Sequence, residues 1–393
     1  MPEPFAVAVL TPTSGTCRMA YAQSLARLVM YFAQVRVFPD VPDQILRPDA
    51  VEGSGIAENY ERMVSRFMAD EETHWTHFLS IEDDMAFSPE CLHMLASRRL
   101  PIVGANYSTN KGSPLRFTAA GSGERVFTTE KSTGVEEVSL LPQGFTLVAR
   151  EVYDALPKPW YLMGYCPESG NYVYQDYYFS NEARKHGFKS YVDHDVSKLI
   201  YHVGPKNYSW RDVVTLDNLY LDMCGGRSDI AAHGPALKRL ASDVRHVTEF
   251  GTRGGNSTLA LLAGRPKILH TWDIEPCPTQ RVLEEICDGT NLRFMRGNTL
   301  ACDIEPTDLL FIDTLHTNGQ LSAELERHGG KVGRYIVLHD TVAFGETGED
   351  GGPGLNGAVE GWLEKHPEWK LETRDTRQHG LTVLERIGEK AHG

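Results

Sequence analysis

The stretch VTEFGTRGGNST, residues 247–258, reads as the end of a buried strand, a tight glycine turn and the start of a helix. Glu249 is an acid near the strand's end, and Gly251, Gly254 and Gly255 let the backbone turn sharply and a ligand approach closely. Alone, a glycine turn is a weak signal. About twenty residues on, the next apolar run, KILHTWDIEP, ends in Asp273, a spacing that suits an acid hydrogen-bonded to ribose hydroxyls. Together they predict a nucleoside-binding α/β unit, and a dinucleotide-binding domain is one reading of the pair.

The same alternation runs on through LRFMRGN, DLLFIDT, YIVLHDT and LTVLERI. Between the last two, the glycine-rich acidic run GETGEDGGPGLNG (345–357) reads as a mobile loop and a candidate lid. The end, GEKAHG (388–393), is expected to fray. Upstream lies a second alternation: the strand FAVAVLTP, a helix from Met19 to about Val35, the helical AENYERMVSRFMADEE and the strand HFLSI. PIVGANYS, EVSLLPQGFTLVA, QDYYFSNEARKHG and KSYVDHDVSKLIYHVG follow. Alternating strands and helices predict mostly parallel sheets covered on both faces. The fold class is therefore α/β with two tandem domains, 1–210 and 211–393, with 211–242 a helical lead-in to the second.

Composition agrees with two ordinary cores: 393 residues, 41% hydrophobic and 23% charged. A net charge of −14 argues against broad binding to nucleic acid or anionic membranes, leaving only a local basic groove open. Seven scattered cysteines without a CxxC pair predict a reduced, cytoplasmic protein without a structural zinc site. The amino terminus lacks a basic region and a long apolar run, so no signal peptide is expected, and no segment is long enough to span a membrane. Oligomeric state is not legible.

A second chemical signal is THFLSIEDDMAFSP (76–89), where Glu82, Asp83 and Asp84 follow an apolar strand. Adjacent acids raise one another's pKa, so a positive partner is expected. At the carboxyl end of a strand in a doubly wound sheet, they suit Mg²⁺ or Mn²⁺ bridging a diphosphate. A solvated loop or helix cap is equally open on the triplet alone.

Over residues 5–206 the chain resembles inverting GT-A glycosyltransferases of the type-2-like group. The resemblance rests, in order, on LTPTSG, GIAENYERMVSRFM, FLSIEDDMAF, IVGANYS, LLPQGFTLVAREVYDAL with KPWY, and YQDYYFSNEARKHGFKSYVDHDVSKLIYHVG. It implies that Glu82 and Asp84 face a metal and a nucleotide-sugar, that His202 is a further metal ligand, and that Asp176 is the general base. Thr11, Pro12 and Thr13 would meet the nucleobase, with Gln143 and Gly144 near the sugar and acceptor. Where the family has a Glu-Asp pair, this chain has Gln175-Asp176.

Residues from about 228 to 388 resemble class I S-adenosylmethionine-dependent methyltransferases, Rossmann-like enzymes, and among them small-molecule O-methyltransferases of the cephalosporin-hydroxylase-like and macrolide-sugar type. SDIAAHGPALKRLA, EFGTRGGNST, WDIEP, DLLFIDTLHTNGQLSAEL and YIVLHDT carry it. It implies that Glu249, Gly251 and Gly255 border the methionine part of the cofactor, that Asp273 holds the ribose, and that Asn298 lies near the adenine. Asp313 and Asp340 match metal-binding strand ends, with His316 and His339 as candidate base and ligand. DTLH stands where the family often has DGDH, and His339-Asp340 where it has an acidic pair.

The resulting expectation is a bifunctional enzyme. One half transfers a sugar from a nucleotide-sugar, a UDP-sugar first, to a small-molecule or glycan hydroxyl with Mn²⁺ or Mg²⁺. The other half O-methylates that sugar or a neighbouring hydroxyl. Its rivals are one catalytic half beside a binding scaffold, a non-catalytic nucleotide-binding protein, and an enzyme acting on hydroxymethylated nucleic acid.

Overall fold

The computed structural model describes residues 4–41, 43–53, 55–121, 125–166 and 170–388, apart from the side chains of Cys166 and Asn171. The expected fraying of 389–393 lies outside the described residues. The chain divides into two compact units, Met1–Val213 and Val214–Gly393.

The first unit is built on a seven-stranded sheet. Its spatial order is Gln44–Glu52, Phe5–Thr13, His77–Ile81, Phe145–Ala149, Ile102–Gly104, Ser190–Asp193 and Val135–Val138. Three of its six pairings are parallel and three antiparallel. The sheet is thus mixed, where a mostly parallel one was expected. Phe145–Ala149, buried along nearly its whole length, runs antiparallel to both neighbours. A strand covered on both faces shows the same unbroken apolar run in either direction, so the run does not reveal its sense.

A smaller antiparallel sheet joins Met85–Phe87, Ile200–Val203 and Asn207–Tyr208 and sets His202 opposite Met85. This pairing brings a late histidine beside the early acidic cluster. Behind the large sheet, helix Ile56–Met68 buries Asn59, Tyr60, Met63, Val64 and Phe67, the spacing of a single helical face. Burying side chains such as Met63, Val64 and Phe67 contributes about 1.5–3 kcal/mol each.

The second unit has a seven-stranded sheet in the order Asn291–Arg296, Ile268–Asp273, His246–Phe250, Thr307–Ile312, Val332–His339, Leu381–Arg386 and Trp369–Asp375. The first five strands are parallel, and the last two pair antiparallel. Counted along this unit the parallel part runs 3-2-1-4-5, a Rossmann-like order. The strand order reverses between His246–Phe250 and Thr307–Ile312, the place where such sheets bind ligands.

The run 345–357, expected to be a mobile loop, folds into a hydrogen-bonded turn. Thr347 bridges Pro353, Gly348 N donates to Gly352 O and Gly354 N to Glu346 O, both at 2.9 Å, and a helix begins at Leu355. Its glycines, Gly351 at φ +79° among them, let the backbone fold onto itself. Among the described residues no helix is long and apolar enough to cross a membrane.

Candidate functional site

At the switch point of the second unit, backbone hydrogen bonds continue past the strands. Gly251 N donates to Trp272 O and Asp313 N to Phe250 O, each at 2.9 Å. Gly251 takes φ +87°, with the Asp313 backbone pressed against its α-carbon. A cavity of about 910 Å³ opens there, and Gly251, Thr252, Gly254, Asp313, Asp229 and His379 are on its wall. A Cβ on Gly254 would meet nothing, whereas one on Gly255 would meet Thr279 Oγ1 at 2.6 Å and Leu283 Cδ1 at 2.7 Å. Gly255 therefore serves the packing of the turn, and Gly254 leaves room.

Glu249 lies fully buried beneath the turn rather than on the cavity wall. Thr258 Oγ1 donates to its Oε2 at 2.7 Å, and Oε1 has no partner. Burial pushes this carboxyl up to about 7, against the pull of hydrogen bonds from Ser257, Thr258 and Thr271. Asp273 does not line the cavity; its carboxylate holds two of the lining residues by their backbone, Arg253 N donating to one oxygen at 2.7 Å and Glu275 N to the other at 2.9 Å. Glu275 itself lines the cavity. Asn298 is exposed, accepts a hydrogen bond from Leu300 N at 2.8 Å and does not line it.

Asp313 links the cavity to a cluster of acids and histidines. Asp313, His339 and Asp340 each offer one ligand atom, all within 4.8 Å of one another. His316 Nε2 stands 2.8 Å from Asp340 Oδ2 and 3.3 Å from Asp313 Oδ1. His379 Nδ1 lies 2.8 Å from the other Asp340 oxygen. His339 is buried, and its Nδ1 is 3.2 Å from Asp340 and 3.4 Å from Asp313, within ion-pair reach but without hydrogen-bond geometry to either. Asp340 holds a strained backbone at φ +60°. The ring of His316 stacks on Phe344 with centroids 4.7 Å apart, and its backbone N–H donates to Glu349 at 2.6 Å.

Burial opposes a proton on either histidine, but the two carboxylates overcome it, lifting His316 to about 9 and His339 to about 10. In turn, Asp313 and Asp340 are held below the ordinary carboxylate range: burial pushes them up, and the histidines pull them further down. Two carboxylates around a buried imidazole suit a protonated ring or a divalent cation in its place.

In the first unit, Pro12, Thr13, Asn59, Glu82, Asp83 and Asp84 line a pocket of about 250 Å³ at the carboxyl ends of two adjacent parallel strands. Asp84 Oδ2 is 3.1 Å from His202 Nε2 and accepts from Asn110 Nδ2 at 3.2 Å. Burial raises the Asp84 carboxyl, but His202 and Asn110 more than offset it and lower the pKa. His202 Nδ1 lies 2.8 Å from the Ser108 carbonyl, to which it can only donate, so Nε2 is the nitrogen turned to Asp84.

Glu82 and Asp176 carry the cost of crowded negative charge. Burial, then the charges of Asp176, Asp84 and Asp83, push Glu82 up to about 8. Burial lifts Asp176 to about 7, hydrogen bonds from Gln143 and Gln175 acting against it, and its Oδ1 is buried without a partner. Gly144 lies between these groups, its carbonyl accepting from Glu82 N at 3.1 Å and its N–H donating to Tyr107 Oη at 3.0 Å. Thr11 is buried, bonded to the Tyr21 hydroxyl, and does not line the pocket. The ligand atoms of Glu82, Asp84 and His202 do not form a trio within 4.8 Å; among the described residues only His246–His270–Glu305 and Asp313–His339–Asp340 do.

Several contributors had no signal in the sequence. Asn110 and Tyr107 in the first unit, and Asp229, Glu349 and His379 in the second, come from loops whose path only the folded chain defines. His379 reaches Asp340 across 39 residues.

No family model matches the chain, and no curated protein matches it. Among solved structures it is similar to A197 from STIV, at 15% identity and a TM-score of 0.36, over 53% of this chain and 92% of that one. It is also similar to the SAH-bound methyltransferase PaMTH1 of Podospora anserina, at 17% and 0.34, over 44% of this chain and 87% of that one. The O-methyltransferase of Bacillus cereus in complex with SAH gives 19% and 0.34, over 44% and 90%. Similarity of this degree leaves function to be argued from the sites.

Proposed function

We propose that the second unit transfers a methyl group from S-adenosylmethionine to a hydroxyl oxygen. The observation that carries this is Asp313, which lines the cavity at the switch point and also belongs to the acid–histidine cluster, so that a nucleoside-sized site and proton-accepting groups share a wall. Gly251 and Gly254 leave room for the cofactor, Glu249 offers an unpartnered buried oxygen beneath the turn, and Glu275, held by Asp273, lies on the wall for the ribose. Its volume lies within the usual range for small-molecule sites.

S-adenosylmethionine supplies an activated methyl group; the chain supplies placement and proton removal. As it stands, His316 holds its proton too firmly to act as a base at neutral pH. Asp313, His339 and Asp340 would hold a divalent cation, which would supply positive charge to the two carboxylates that now keep His316 protonated; His316, beside both, is the group placed to take the acceptor's proton. Calorimetric titration with S-adenosylmethionine tests the reading, and no binding to the folded chain would end it.

For the first unit we propose metal-dependent transfer of a sugar from a nucleotide-sugar, UDP-linked first, to a small-molecule or glycan hydroxyl. Support comes from the pocket that gathers Pro12, Thr13, Glu82 and Asp84 beside His202, with Asp176 among the charges acting on Glu82. The raised Glu82 and the unpartnered oxygen of Asp176 mark an excess of negative charge that Mn²⁺ or Mg²⁺ would relieve. Asp176, near 7, is suited to take a proton from an acceptor hydroxyl. Titration of UDP with and without Mn²⁺ is the test, and binding that ignores the metal would count against it.

A further inference from the structure

A third constellation lies at the amino-terminal edge of the second unit's sheet, at the end opposite the cofactor cavity. His246 opens strand His246–Phe250, His270 stands in the neighbouring strand Ile268–Asp273, and Glu305 lies on the stretch that leads into Thr307–Ile312. Each offers one ligand atom, and the three lie within 4.8 Å of one another. The two rings are 5.0 Å apart at 80°.

What marks this as more than a chance grouping is the state of the rings. His246 is 9% exposed and His270 6%, and the Nε2 atom of each is buried with no hydrogen-bond partner. Buried polar atoms are nearly always partnered, so two unpartnered ring nitrogens gathered with a carboxylate call for a ligand. His246 Nδ1 lies 2.9 Å from the Pro306 carbonyl, to which it can only donate. That bond fixes the tautomer and leaves Nε2 with a free lone pair, the arrangement of a metal-ligating histidine with its outer carbonyl. Glu305, exposed on its loop, is able to close onto a cation.

We propose that His246, His270 and Glu305 bind one divalent cation of the zinc class. Two imidazoles and a carboxylate suit Zn²⁺ or Co²⁺ better than Mg²⁺ or Ca²⁺, which prefer all-oxygen shells. A fourth position is left for water. The ion ties the loop before Thr307 to two central strands, so its binding energy adds to the stability of this unit.

The test uses the untagged full chain, stripped with chelator, dialysed against micromolar Zn²⁺ and measured for zinc per chain and for melting temperature. Asp340→Asn is introduced in every sample to weaken the acid–histidine cluster. The expected result is one zinc per chain with a higher melting temperature, and loss of both in His270→Gln. Glu305→Gln, an exposed change that leaves the core intact, should weaken zinc by at least about tenfold, the loss that even an outer-shell partner costs. Equal zinc content and stabilisation in Glu305→Gln and its parent would overturn the site, as would no bound zinc in the parent. In either case the vacant nitrogens are bridged by water alone. Adenosylmethionine titration of the same samples reports separately on the cofactor cavity.

Discussion

A Cβ placed on Gly251 would stand 1.9 Å from the carbonyl oxygen of Asp313. The two residues end the central strands on either side of the switch point, and the absence of a side chain lets those ends meet. Gly251→Ala therefore meets both a left-handed backbone and a backbone collision, and should cost about 3 kcal/mol or more with loss of adenosylmethionine binding. Gly254→Ala, whose Cβ meets nothing, should leave the melting temperature within about a degree or two. Thermal melts and calorimetry of the two variants decide it; equal effects would mean that this close approach is unimportant.

Glu249 gives a pH prediction. Its carboxyl titrates near 7 when folded, against the ordinary 4.5. Between these values the folded chain holds a proton that the unfolded chain has released, so stability falls as pH rises from 4.5 through 7. Above 7 the penalty reaches on the order of 3 kcal/mol. Glu249→Gln should thus melt higher than the parent at pH 8 and lose that advantage near pH 4.5. A constant difference across the range would show that ionisation of Glu249 is not the cause.

Asp84 and His202 should act together in the first unit. Asp84→Asn removes the charge that faces His202 Nε2 and should weaken Mn²⁺-dependent UDP binding by at least about tenfold. Adenosylmethionine binding should be unchanged. Parallel titrations check both, and undiminished UDP affinity would remove Asp84 from the donor site.

The hairpin strands Gly164–Cys166 and Asn171–Val173 hold Tyr165 and Tyr172 58% and 70% exposed, their rings 5.5 Å apart, shortly before Asp176 in the chain. On the proposed sugar-transfer reading, two exposed aromatic rings offer an acceptor a flat apolar surface. Tyr172→Ala should raise the acceptor KM about tenfold, roughly 1.4 kcal/mol, with donor binding unchanged. Steady-state kinetics with varied acceptor would refute this if KM stayed constant.

The strand–glycine–helix turn at Glu249–Gly255 and the acids Glu82–Asp84 could be read from the sequence because neighbours in the chain remain neighbours in a turn. Alternating apolar and helical runs likewise announced two α/β units, since burial acts on each segment locally. Strand direction did not follow: the antiparallel place of Phe145–Ala149 depends on how the chain returns to the sheet. Long-range pairs were equally silent. Asp84 meets His202 across 118 residues only because Met85–Phe87 pairs with Ile200–Val203. Asp273, Asn298 and Thr11 turned out to lie off the pocket walls, since a strand-end position in the sequence does not say which way a side chain points. Counting cysteines gave no hint of His246, His270 and Glu305, whose grouping arises from strand register and one loop. The sequence by itself determined the local turns, the charges they carry and the two-unit α/β pattern, because these depend on adjacent residues. Only the tertiary structure decided strand direction and which distant side chains share a site, because those depend on how separate segments pack.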